Sequence, residues 1–237
     1  MSEYTLCSIQ SGRPLQDVIY LKDDEQSRHP CNSMDEEHRY EAENGDFCST
    51  HFTVTQYEEA QSAKQVFDLV LSYICNIEKI DHTTIREDDG GDDKGVVQNR
   101  LVSTTYKNVK MESNTVMFSQ YYDGTLDKRK CPGDSGYWLI VADFVDEDEQ
   151  HPYLPDQRVR RDVNAVLEIR EFVPQHPKSV AGGLPSCKPM VVLCRWVQNR
   201  MHYPSFPDCT EGWHELRMDL WGRALHHTIA ENLRPRP

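Results

Sequence analysis

DCTEGWHELRMDLWGRALHHTIAENL, residues 208–233, places apolar side chains at Trp213, Leu216, Leu220, Trp221, Ala224, Leu225, Ile229 and Leu233. Spacing of three and four predicts a long amphipathic helix with a wide apolar stripe. Such a stripe needs a broad apolar surface to cover it. The chain upstream offers strands for that purpose.

Working outward, Met190 to Met201 reads as a strand apolar on both faces, and so does Tyr137 to Val145. Asn164 to Phe172 alternates, with Val163, Ala165, Leu167 and Ile169 on one side and Asn164, Glu168 and Arg170 on the other. Further strands are predicted at Cys48 to Val54, His82 to Arg86, Val96 to Tyr106 and Thr115 to Tyr122. Between the first two, QYEEAQSAKQVFDLVLSYICNIE (56–78) has a helical stripe of Ala60, Ala63, Phe67, Val70, Leu71 and Ile74. The order is strand, helix, six strands, helix. It predicts an α+β helix-grip fold, a curved antiparallel sheet of about seven strands wrapped around a long C-terminal helix.

Residues 1–46 hold eleven acidic and four basic residues with no sustained period. They are expected to be an acidic, mostly disordered tail, leaving 47–237 as the folded domain. Over the whole chain 26 basic residues face 39 acidic ones, a formal charge of −13. That charge opposes nucleic-acid binding and constitutive docking on anionic membranes. No stretch has the length of a membrane span, and the first residues lack the apolar run of a secretory signal. Eight cysteines without a Cys-x-x-Cys pair read as reduced thiols, so a cytoplasmic location is expected.

One segment carries a family likeness: VDEDEQHPYLP (145–155) followed by RVRRDV (158–163). With VKMESNTV (109–116), the strand Gly136 to Phe144 and VVLCRW (191–196), it resembles divergent START-like domains, a helix-grip family related to lipid transfer. The resemblance covers roughly residues 50 to 235, by pattern rather than by strict motif. It implies a non-enzymatic container for a hydrophobic small molecule or lipid, held between the sheet and the C-terminal helix. It implies no cofactor and no catalytic residue. An acidic tail replaces the longer amino end of the full lipid-transfer domain.

The expected wall of that container is Val116, Phe118, Leu139, Val141, Leu167, Ile169, Val192, Leu193, Leu216 and Leu220. A shift of one residue in strand parity exchanges each set for its neighbours. Arg195 lies mid-strand among Val191, Leu193 and Val197. Inward, it pairs a carboxylate or polar headgroup; outward, it is a surface cation. Two rivals share the fold. One is an interaction scaffold whose interior is filled by Trp138, Trp196, Trp213 and Trp221. The other is a hydrolase or isomerase, which needs an acid and a base converging inside.

Other motifs reduce to ordinary features. Gly133-Asp-Ser-Gly136 resembles a serine-protease nucleophile segment, but no matching histidine segment lies upstream, so it reads as a turn. His29, Cys31, His38, Cys48 and His51 are the densest set of possible zinc ligands, yet they lack two short-spaced pairs. Asp146 to Glu149 lacks the alternation and glycine of a calcium loop. With His151, Arg158, Arg160 and Arg161 nearby, it reads as a loop fixed by opposite charges. Lys128 to Lys130 is too short for nucleic acid and offers at most transient contact with a membrane surface. Oligomeric state leaves no trace in the sequence.

Overall fold

A computed structural model describes residues 34–76, 96–104, 109–122, 136–172, 190–206 and 222–234. Within them the chain forms strands β1 (Met34–Glu41) and β2 (Phe47–Tyr57), helix α1 (Ala63–Cys75), strands β3 (Val96–Thr104), β4 (Lys110–Tyr122), β5 (Tyr137–Phe144), β6 (Val159–Phe172) and β7 (Met190–Met201), and helix α2 (Arg223–Leu233). The seven strands make one sheet in the order β1-β2-β7-β6-β5-β4-β3. Every neighbouring pair is antiparallel, and a short parallel bridge joins Met111 to Val159 and Glu112 to Arg160. The architecture is α+β.

The strand β1 corrects the expectation that residues 1–46 are tail. Acidic composition hid it, because an edge strand tolerates charges and they guard it against pairing with other chains. Its register with β2 runs from Met34 opposite Val54 to Glu41 opposite Phe47. The turn between them is built on Asn44-Gly45, with Gly45 at φ 83°, where a side chain would be strained. Asp46 locks it: its carboxylate accepts the Asn44 amide at 2.8 Å and the Tyr203 backbone N–H at 2.9 Å.

Helix α1 starts seven residues later than its periodicity suggested. Gln56 and Tyr57 stay in β2, paired with Val192 and Val191. Ser62 then caps the helix, its hydroxyl accepting the Gln65 N–H at 3.2 Å. Ala63, Val66, Phe67, Val70, Tyr73 and Ile74 are buried against the sheet and against α2. From β6 the helices cover Val163, Ala165, Leu167 and Ile169, the side that alternation had marked as apolar. Each fully buried Leu or Ile there contributes about 2 kcal/mol of transfer free energy.

The C-terminal helix is described over eleven residues, Arg223–Leu233, with Leu225, Ile229 and Leu233 turned into the core. The stretch 208–221, like the strand expected at His82 to Arg86 and the basic patch at Lys128 to Lys130, lies outside the described residues. Among the described residues, no helix is long and apolar enough to cross a membrane.

Candidate functional site

Registers across the sheet assign every strand residue to one of two faces. The odd-numbered residues of β2, β3, β4, β6 and β7 and the even-numbered ones of β5 lie on the side of α1 and α2. This helix-side face has two parts. One is apolar: Trp138, Ile140, Leu167, Ile169 and Leu193 lie under α1, with the Phe67 ring stacked on Trp138 at 4.2 Å. The other is polar and buried, made of Ser49, Ser103, Ser113, Thr115, Arg161, Arg195 and Asn199. Burying polar groups costs stability unless they are bonded, so seven such residues on an interior face call for an explanation beyond packing.

Arg195 is the centre of the polar part, 5% exposed. Its Nε donates to Thr53 Oγ1 at 3.1 Å, its cross-strand partner. Its Nη2 lies 3.2 Å from His51 Nδ1, and His51 Nε2 lies 2.5 Å from Asp35 Oδ1 on β1. A guanidinium only donates and a carboxylate only accepts, so His51 is the tautomer with hydrogen on Nε2 and a bare Nδ1. Nearby, the Tyr57 hydroxyl meets His226 Nδ1 of α2 at 3.2 Å. Burial raises the Tyr57 phenol far above its ordinary pKa, and the positive charge of Arg195 opposes that rise.

Of the residues expected to line a cavity, Leu167, Ile169, Leu193 and Arg195 are on the helix side. Val116, Phe118, Leu139, Val141 and Val192 are on the opposite face, a correction of one residue in parity. Strands apolar on both faces carry no internal mark of which set is inward. Their helix-side neighbours are Met117, Trp138, Ile140 and Ala142, and Phe118 is 49% exposed. Val192 and Leu193, being adjacent, cannot share a face. Leu216 and Leu220 lie outside the described residues. Trp196, proposed above as interior filling, joins Phe52, Val166, Val141 and Phe118 in a row across the far face. Sequence reasoning named His51 only as a possible zinc ligand and missed Thr53 and Tyr57, the latter because it was assigned to the helix rather than to β2.

The far face also carries the acidic loop. Asp148 accepts the backbone N–H groups of Gln150 and His151, both at 3.0 Å, and the Asn114 amide at 2.8 Å. Burial acts to raise its pKa, but these hydrogen bonds and the His151 charge outweigh it and hold the carboxyl below the usual range. Arg160 ties the loop down through Asp162 and the carbonyls of Val145 and Asp146. Tyr153 closes it, donating to the Arg158 carbonyl at 2.6 Å and accepting the Arg160 N–H at 2.9 Å. A cavity of about 330 Å3 opens there between Glu112, Asn114, Asp148, His151, Tyr153 and Arg160. Its polar groups are those that hold the loop.

Cys48 and His51 point to opposite faces of β2, so they cannot form one zinc knuckle. His29 and Cys31 lie outside the described residues, as do Gly133 to Ser135 of the protease-like segment. Gly136 has a packing role: a Cβ there would collide with Tyr121 Oη and the Tyr122 carbonyl. A comparison of the chain with protein-family models finds no match, and a comparison with curated proteins finds none either.

Proposed function

We propose that this chain is a START-like, helix-grip container that binds an amphipathic small molecule or lipid, without catalysis, between the helix-side face and the C-terminal helix. The observation that carries it is Arg195, an arginine buried to 5% exposure on an interior face that is apolar on one side and polar on the other. Such a division suits a ligand with a greasy body and a polar end. Both described helices on one face of the sheet, with the chain order strand, helix, strands, helix, fit a helix grip. Free thiols at Cys48 and Cys194 fit a reducing compartment such as the cytosol.

Burying about 400 Å2 of ligand surface is worth on the order of 10 kcal/mol gross. Loss of ligand freedom and ordering of loops remove a good part of that. The test is titration of delipidated protein with a fluorescent fatty acid and a fluorescent sterol, with mass spectrometry of organic extracts from the purified chain. A saturable signal from one of them supports the reading; no saturation and clean extracts across lipid classes oppose it.

An interaction scaffold with a filled interior is the second reading. The stack of Phe67 on Trp138 favours it, since that pair fills space over β5. Quenching of Trp138 emission by a brominated fatty acid separates the two, because a filled interior leaves that emission unchanged.

A further inference from the structure

We infer that Arg195, His51 and Thr53 form the seat of an anionic headgroup, and that protonation of His51 opens it. This rests on the container reading and assigns the charge of its guest.

The geometry works as a latch. With Nδ1 bare, His51 accepts from Arg195 Nη2 at 3.2 Å and donates from Nε2 to Asp35. The guanidinium is thereby turned along its row toward β2, where Thr53 Oγ1 takes its Nε. Protonation places hydrogen on Nδ1 as well. Two donors, each on a cation, then face each other across the same 3.2 Å. The arrangement is relieved when an acceptor of opposite charge enters between them, with both N–H groups donating to it. Thr53 adds a hydroxyl beside it. An alkyl sulfonate, phosphate ester or comparable headgroup has the required oxygens, and the apolar residues Leu167, Ile169 and Leu193 lie on the same face of the sheet.

The surrounding charges leave this balance in place. From β1, Asp35 holds His51 Nε2, and Glu37, opposite His51 in register, is paired with Arg39 at 2.6 Å. From β7 comes Arg195; from β2 itself Tyr57, whose hydroxyl is engaged by His226 of α2. Asp35 has a side chain 75% exposed, whereas that of His51 is 14% exposed. Solvent therefore weakens the pull of Asp35 more than the push between His51 and Arg195.

The test is isothermal titration calorimetry of the whole chain with octane-1-sulfonate, octan-1-ol and inorganic sulfate at pH 5.5 and 7.5. The sulfonate stays anionic at both, so only the protein titrates. The inference expects sulfonate to bind roughly tenfold or more tighter than octanol at pH 5.5, with that gap shrinking at pH 7.5. It also expects proton uptake on sulfonate binding, seen as heats that depend on buffer ionisation enthalpy, and none with octanol. His51→Gln keeps an acceptor for Arg195 and should abolish the pH dependence. Equal affinity for the two alkyl compounds, a preference that ignores pH, absence of proton uptake, or a pH dependence intact in H51Q each overturns the inference and leaves the container standing. Inorganic sulfate binding as tightly as the sulfonate overturns the headgroup assignment. If neither alkyl compound binds at either pH, the container and its seat fall together.

Discussion

The Tyr57 hydroxyl meets His226 Nδ1 at 3.2 Å across 169 residues of sequence, and their rings lie 5.8 Å apart. The contact fastens α2 to the end of β2, where Tyr57 is 3% exposed. Tyr57→Phe keeps the ring and removes the hydroxyl. It should cost about 1 kcal/mol and speed amide exchange in Arg223–Leu233 more than in β5 or β6. Hydrogen exchange read by mass spectrometry checks this, and uniform protection in both proteins would show that the helix is held by Leu225 and Ile229 alone.

Glu112 sits 5% exposed between two guanidiniums, with Arg100 Nε at 2.7 Å and Arg158 Nη1 at 2.8 Å. Removing its charge leaves Arg100, itself 7% exposed, without its opposite charge. Glu112→Gln is expected to lower the unfolding free energy by about 3 kcal/mol or more. A thermal melt within a degree of wild type would place the strength of this corner elsewhere.

Asp46 gives the acid dependence. Burial acts to raise its pKa, but the Tyr203 N–H, the Asn44 amide, the Arg200 guanidinium and His202 outweigh it, so the carboxyl is depressed when folded. A depressed acid contributes its full stability above the ordinary aspartate value of about 4 and loses it as pH falls through the folded value. Asp46→Asn should therefore be less stable than wild type by about 3 kcal/mol at pH 7, with the difference shrinking on acidification. Urea unfolding at pH 7 and below pH 3 measures both gaps; a gap that does not narrow would falsify the assignment.

Cys194 lies 2% exposed, and burial, with the Glu168 charge, pushes its thiol up to about 12. At pH 7 its thiolate fraction is on the order of 10⁻⁵. Maleimide labelling followed by peptide mass spectrometry should modify the half-buried Cys75 in the native protein and reach Cys194 only after unfolding. Rapid native labelling of Cys194 would mean that β7 opens locally.

Much of the sheet was legible because alternation is a local signal. Val163, Ala165, Leu167 and Ile169 marked an inner face of β6, and the structure puts that face under the helices. The strand β1 was not legible, since MDEEHRYE reads as solvated tail until it is paired with Phe47–Val54. The site was half legible. Arg195 stood out as a cation among apolar neighbours, but its direction depends on which face of β7 meets a helix.

The chain alone marked the helical stripe around Phe67 and Val70 and most of the strands, because propensity and periodicity act over a few residues and need no partner. It fixed the apolar stripe of α1 and the alternation of β6. The tertiary structure alone decided parity in β4 and β5 and the meeting of Asp35, His51 and Arg195. Those outcomes follow from register between strands far apart in sequence. A strand apolar on both sides holds no record of which side its neighbours will cover.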